Sequence, residues 1–321
     1  MKPYLLIFAM IILVSCQKKS QDAESEFSEA STDTTAIVDD SQFFNDEPEE
    51  EVALENYSFR DPNLADYQQY LESLDKSKVE NVADATRKFN ELFASRSKAM
   101  CDSAYYLFEK FYSGVDDKIN EQSYDGFDSL FLGSSNGEKI KLSKRITDFD
   151  NKYRSNGFQP AWTEGIVYLT KDREYVKQNF YQQLTPLMIE YLDQLNKENQ
   201  QGFQEDGGII IEYNTLVDRT VWWERFNKNN PTFIFKQTPS DKQKIYTWTL
   251  ITGADNTPIF QSPNGGFSED FKGAYDYMFV KYPDSETATL LRPYYSYLVR
   301  WDTAGIRKYW QEKIGTTPYF N

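Results

Sequence analysis

Residues 82–111 read VADATRKFNELFASRSKAMCDSAYYLFEKF. Val82, Ala85, Phe89, Leu92, Phe93, Met100, Ala104, Leu107, Phe108 and Phe111 recur at three- and four-residue steps, the spacing that gathers side chains on one face of a helix. The stretch predicts one long amphipathic helix, and the same period returns along most of the chain. Upstream, Pro62 and Leu64 open a segment with Tyr67, Leu71 and Leu74 on one face. Downstream, Ile140 to Tyr153 is read as helical, with Asn156-Gly157 as its stop. Residues 113–138 hold more Gly, Asp and Ser and are expected to form a loop with short turns.

The second half carries clearer punctuation. Thr185-Pro186 sets a cap residue before a first-turn proline, ahead of Leu187, Tyr191, Leu192 and Leu195, and Gly202 closes that element. Ser240 with Gln243 fits a capping box before Ile245, Trp248 and Ile251, ended by Gly253. Ser268 is read as the cap of a helix bearing Phe271, Ala274, Tyr275 and Met278. Pro283-Asp284-Ser285 breaks the chain, Ala288, Leu291, Tyr295 and Leu298 resume the period, and Trp301 to Ile314 forms a last helix stopped by Gly315. Ile209-Ile210-Ile211, between Gly207-Gly208 and Tyr213, is the one clear strand-like run. The expected fold is mainly α: antiparallel helix pairs packed as α-hairpins, with at most a minor β element near 207–213.

An internal echo supports that architecture. Trp222 to Pro231 and Tyr275 to Pro283 both read as an aromatic helix, Phe-x-Lys, then a proline turn and a further helix, with spacing to the proline that differs by one residue. The stretch 269–300, with Lys281-Tyr282-Pro283-Asp284-Ser285 between its helices, resembles the TPR-like helix pairs of bacterial cell-envelope lipoproteins. The rest of the TPR signature is missing. The resemblance therefore implies an α-hairpin body and no particular activity.

The N-terminus reads MKPYLLIFAMIILVSC over residues 1–16. One lysine, Lys2, precedes an apolar run from Tyr4 to Val14 that has the length of a signal-peptide core and falls short of a membrane span. Leu13-Val14-Ser15-Cys16 resembles the lipobox of bacterial lipoproteins. That resemblance implies cleavage before Cys16, thioether lipidation and acylation of Cys16, and a place in the outer membrane, facing periplasm or cell surface. More than one acyl chain is what stable anchoring requires. Three segments follow: a signal peptide at 1–15, a tether at 16–60, and a helical body at 61–321, read as two lobes of about 61–160 and 161–321. In lipoproteins of the Bacteroidota type, acids close behind the cysteine resemble a surface-export signal; here Gln17-Lys18-Lys19 comes first and the acids begin at Asp22.

The net charge of −15 is concentrated in the tether. Residues 20–59 hold thirteen acidic side chains and no Lys or Arg. Lys2, Lys18 and Lys19 add three positive charges, which leaves −5 for residues 60–321. Like charges and scarce apolar side chains predict an extended, unfolded spacer in which Phe43-Phe44 is the only apolar spot. Neither part has the basic face that nucleic acid requires, so that partner class is excluded.

The chain contains no histidine. Ser-His-Asp and Cys-His catalysis, and His-ligated zinc or iron, are thereby removed. Cys101 is the only cysteine besides Cys16, so the body has no disulfide and no cysteine metal site, and Cys101 is expected to be a small buried side chain. Ser73-x-x-Lys76 and Ser95-x-x-Lys98 lack the partner motifs of Ser/Lys acyl transferases and are read as solvated helix faces. Gly133 to Lys139 has the wrong spacing for a phosphate loop, and Asp148-Phe149-Asp150 lacks the third ligand and the glycine of a calcium loop. Carboxylate pairs that glycoside hydrolysis would need are sought at Asp125 with Asp128, at Glu164 beside Trp162, and at Glu205-Asp206. No cofactor or metal is expected.

Aromatic residues make up 16% of the chain, mostly at helical spacing, which predicts interhelical packing. Trp222 and Trp223 are adjacent and point in different directions around a helix, so both do not fit one core easily. Trp162, placed in a loop, with Trp222 and Trp223, are the candidate binding aromatics. The expected function is a non-catalytic, membrane-anchored lipoprotein that presents a helical surface to an envelope protein or peptide. The alternative is an envelope lipoprotein that binds a glycan, or cleaves one with carboxylates.

Overall fold

Asp61 starts the first helix by accepting the Asn63 backbone N–H at 2.8 Å, and Pro62 occupies a first-turn position that needs no donor. The computed structural model describes residues 61–131, 142–163, 165–262 and 265–315. Cys16, the tether, Phe43-Phe44, Glu164 and Gly133 to Lys139 lie outside the described residues. Three helices open the body: α1 (Pro62–Ser73), α2 (Glu80–Phe93) and α3 (Lys98–Ile119). The fold is mainly α, as expected, with short antiparallel hairpins.

The opening stretch is two helices rather than one. The chain turns at residues 94–97, and Ser97 restarts it by accepting the Met100 N–H on its hydroxyl. The break lets α2 fold back on α3, so Val82, Phe89 and Phe93 meet a core that one straight helix would leave on one side. Cys101 is buried at that turn, its thiol donating to the Phe93 carbonyl. Residues 113–119 continue α3 instead of forming a loop, because Val115 and Ile119 extend the buried row of Phe108 and Tyr112.

After α4 (Lys144–Arg154), Gly157 at φ +85° ends the helical run as Asn156-Gly157 predicted. A hairpin follows that the helical reading missed, β1 (Phe158–Thr163) with β2 (Ile166–Lys171). Phe158, Pro160, Val167 and Leu169 face the core, whereas Tyr168 and Ile166 face outward, the alternation of a half-buried sheet. Next come α5 (Arg173–Phe180) and α6 (Pro186–Gln201), capped by Thr185 and closed at Gly202 as its sequence requires. The strand expected at Ile209–Ile211 is only a two-residue pairing, β3 (Gln204–Glu205) with β4 (Gly208–Ile209). Asp206 and Gly207 both have positive φ between them, the conformation of a type I′ Asp-Gly turn.

The C-terminal half comprises α7 (Tyr213–Asn229), α8 (Gln237–Thr252), two further hairpins, β5–β6 (Gly253–Ala254 with Thr257–Pro258) and β7–β8 (Phe260–Ser262 with Gly265–Phe267), then α9 (Glu269–Lys281), α10 (Glu286–Val299) and α11 (Thr303–Lys313). One capping expectation fails and a second holds in position only. Helix α8 begins at Gln237, with Pro239 in its first turn, so Ser240 lies inside the helix. Ser268 precedes α9 but its hydroxyl makes no capping bond. The proline turns after α7 and α9 share one backbone conformation: Asn230 at φ −131°, ψ 58° and Tyr282 at φ −131°, ψ 53°. Each precedes a proline, whose ring excludes the helical conformation from the residue before it. The internal echo is therefore in register at the proline.

Tyrosines supply much of the core and also terminate helices. Tyr275 and Tyr294 hydroxyls donate to the Leu250 and Ile251 carbonyls at the end of α8, at 2.5 and 3.0 Å. Tyr67 and Tyr309 donate to the Ala85 and Leu290 carbonyls inside α2 and α10. A ring that packs while its hydroxyl satisfies a buried carbonyl removes the cost of burying that polar atom. One contiguous apolar cluster runs from Leu64 to Trp310.

Candidate groove between α6 and α7

Helices α6 and α7 run side by side in opposite directions: Gln201 and Gly202, at the end of α6, meet Arg219, and Tyr191, near its start, meets Phe226. Beneath them lies a buried carboxylate. Glu198 accepts from Trp223 Nε1 at 2.6 Å, the Tyr246 hydroxyl at 2.6 Å and Gln194 Nε2 at 2.7 Å, with Lys242 at 3.4 Å. These bonds join α6, α7 and α8 and fix the rotation of α7. Trp223 then points wholly inward and Trp222, about 100° round the helix, points into a groove between α6 and α7.

The groove has a volume of about 640 Å³, in the range of ligand sites. Trp222 is half-buried; it stacks on Phe226 at 5.1 Å and 16°, and meets Trp223 edge-on at 4.6 Å. Gln194, Gln201, Asn229 and Asn230 line the groove with amides. Asp218 lines it too, but its carboxylate is taken by Tyr282 at 2.8 Å, Tyr277 at 3.0 Å and Lys281 at 3.0 Å. Those contacts, led by the Tyr277 and Asp218 hydrogen bonds, raise the Lys281 pKa. Arg219 is 3% exposed; its Nη1 and Nη2 donate to the Gly202 carbonyl and Gln201 Oε1, and its Nε has no partner.

The sequence candidates scatter. Trp223 is core. Trp222 lines the groove. Trp162 sits in β1, not in a loop, paired with Val167 near the hairpin tip, where it is 46% exposed. Asp125 and Asp128 are on the surface, and Glu205 and Asp206 serve a hairpin turn. Asp148 and Asp150 lie on α4, where Phe149 stacks on Phe127. Ser73 ends α1 and Lys76 lies in the turn after it, while Ser95 lies in the turn before α3 and Lys98, the first residue of α3, donates to the Leu184 carbonyl; all four are exposed, as a solvated reading expects, but each run spans a joint between elements instead of one helix face. Among the described residues no cluster of three metal-ligating side chains occurs, and no helix is long and apolar enough to cross a membrane.

No protein-family model, curated protein or solved structure matches this chain. The reading of the groove therefore rests on its own geometry.

The buried acids outside the groove hold the fold together. Asp102 on α3 accepts the Thr185 backbone N–H at 3.0 Å and its hydroxyl at 2.6 Å, so it braces the cap of α6. Glu224 on α7 accepts the Glu286 and Thr287 N–H groups, both at 2.8 Å, at the start of α10. Glu109 on α3 meets Lys171 at 2.9 Å, Arg173 at 3.4 Å and the Tyr105 hydroxyl at 2.9 Å. Burial alone pushes the Glu109 carboxyl up, but Lys171, Arg173 and their hydrogen bonds outweigh it and lower it to about 2. A folded pKa below the unfolded value stabilises the fold above the unfolded pKa of 4.5, and that stability is lost as pH falls from there toward about 2. The shift corresponds to about 3 kcal/mol. Burial raises Asp102 and Asp116, which slope the opposite way, so the contribution of Glu109 is read by difference. Urea unfolding from pH 6 to 3 is expected to show a smaller acid-dependent loss in Glu109→Gln than in the parent chain. Equal slopes would assign the loss to other carboxylates.

Proposed function

We propose that this chain is a lipid-anchored envelope protein without catalytic activity, which holds a protein or peptide partner in the α6–α7 groove. The single observation that carries this reading is the groove itself. A half-buried Trp222 sits among amides and cations on a face that the Glu198 network holds rigid. Of the two acids that line it, Glu190 and Asp218, Asp218 is neutralised by Lys281 and two tyrosines, and the buried acids elsewhere are committed to helix ends and ion pairs. The lipobox-like Cys16 and the acidic tether support a body held at a distance from a membrane face.

A photo-crosslinking residue placed at position 222 in the full chain, expressed in a bacterial envelope, is expected to give a discrete adduct. The same residue at exposed Lys177 on α5 is expected to give none. Incorporation of an alkynyl palmitate analogue should vanish in Cys16→Ser. Absence of an adduct at 222, or the same adduct from 177, would refute the binding reading; labelling that persists in Cys16→Ser would refute the anchor.

One observation favours a second reading. An aromatic ring beside four amides also suits the apolar and hydroxyl faces of a sugar. Trp222→Ala is expected to cost little stability, because the side chain is only half-buried, and to abolish ligand capture. A glycan array that binds the parent chain and not Trp222→Ala would select the sugar.

A further inference from the structure

The groove carries positive charge in an otherwise acidic chain. Lys197 on α6 and Arg219 and Arg225 on α7 line it, and among the described residues none of the three makes an ion pair. Arg225 lies over the Tyr282 ring at 5.0 Å, which orients its guanidinium without neutralising it. Asp218, which lines the groove beside them, already faces Lys281, and the Arg219 guanidinium lies 5.9 Å from the Tyr246 ring, whose hydroxyl is bonded to Glu198. Arg219 is buried with one donor unmet, and an unmet buried donor costs about 1–3 kcal/mol, more when charged. That donor is a place for an acceptor.

Position along α7 sets the spacing. Arg219, Trp222 and Arg225 follow at three-residue steps, so the two cations are about 9 Å apart along the axis with the indole between them. Around the axis they span about 120°, Arg219 on the α6 side and Arg225 on the Tyr282 side. A peptide in the polyproline II conformation advances about 6 Å over two residues and sets successive side chains about 120° apart, so the middle side chain is not turned to the face opposite the two acids, and glutamate side chains cover the remainder.

Resting on the reading of the groove as a peptide site, we propose that its ligand is an acidic peptide of the form acid–apolar–acid. One carboxylate is held by Arg219, the other by Arg225, and the middle side chain lies on Trp222. Lys197 adds attraction across the groove. Glu190 lines the same groove nearer the start of α6, where it repels a third acid and limits the acidic stretch. Charge-assisted pairing of guanidinium with carboxylate is directional as well as strong, so the amide analogue of such a peptide leaves Arg219 unmet.

The test uses the full chain in mild detergent and three probes: acetyl-Glu-Phe-Glu-amide, its Gln-Phe-Gln counterpart and free glucuronate, each followed by quenching of tryptophan fluorescence. The expected result is saturable binding of the diacid, at least tenfold weaker binding of the diamide, and weakening of the diacid as salt rises. Arg225→Gln, an exposed position whose loss leaves the core intact, should reduce diacid binding at least tenfold and leave thermal unfolding unchanged. Arg219→Lys should likewise reduce diacid binding at least tenfold while lowering Tm by a few degrees, because two buried hydrogen bonds are lost, with circular dichroism to show that the helices persist. Equal binding of diacid and diamide, or saturation by glucuronate with neither peptide binding, overturns the proposal. An adduct at position 222 without competition by the diacid overturns it while leaving the groove a partner site. No adduct and no peptide binding overturns both.

Discussion

Trp223→Ala is expected to lower the unfolding free energy by about 4 kcal/mol, the upper range for truncating a large buried aromatic. In a body of this size that is roughly a 10 °C fall in Tm. The side chain is fully buried, with Tyr191, Trp222 and Phe226 around it and its Nε1 on Glu198. Truncation leaves a cavity and takes a donor from a buried carboxylate, and the two effects add. Trp223→Phe keeps an aromatic ring and leaves a smaller cavity while the hydrogen bond to a charged group goes, and about 2 kcal/mol is lost. Trp222→Ala in the same experiment should move Tm by only a few degrees. Thermal unfolding followed by circular dichroism reads all three, and equal Tm losses for the two tryptophans would refute the assignment of one to the core and the other to the groove.

Glu224→Ala is the second large effect, expected to cost about 3 kcal/mol. Glu224 accepts the first two N–H groups of α10 and the Thr287 hydroxyl, the last at 2.7 Å. Removing the carboxylate leaves buried donors without water and removes a negative charge from the positive end of a helix. Glu224→Gln keeps one acceptor oxygen and should lose about half as much. A Glu224→Ala chain with unchanged denaturant midpoint would mean that Ser285, whose hydroxyl already accepts the Ala288 N–H at 3.0 Å, caps α10 unaided.

The helical class was legible because the apolar period is strong and its punctuation local. Asp61-Pro62, Thr185-Pro186 and Pro283-Asp284-Ser285 each act within three residues of a helix end. The 158–171 hairpin was not legible as helix or strand, since Pro160 withdraws a donor from a strand of only six residues and each strand has only one partner. The paired tryptophans show the limit for the site. Neighbouring helix positions differ by 100°, so sequence says that one enters the core but not which one. The choice depends on Glu198, twenty-five residues upstream, which offers Trp223 an acceptor. Arg219 gave no signal at all, because one of its two acceptors is a backbone carbonyl, that of Gly202.

The clasps made by Asp102 and Glu224 join residues 83 and 62 positions apart in the chain. Contacts that close such long loops are paid for in chain entropy before they return any stability, so they form late on the way to the native state. Interactions absent from the transition state slow escape from the native state and leave the approach to it unchanged. The two carboxylates are therefore expected to act as a brake on unfolding. Lifetime in the folded state is the property that such a brake protects.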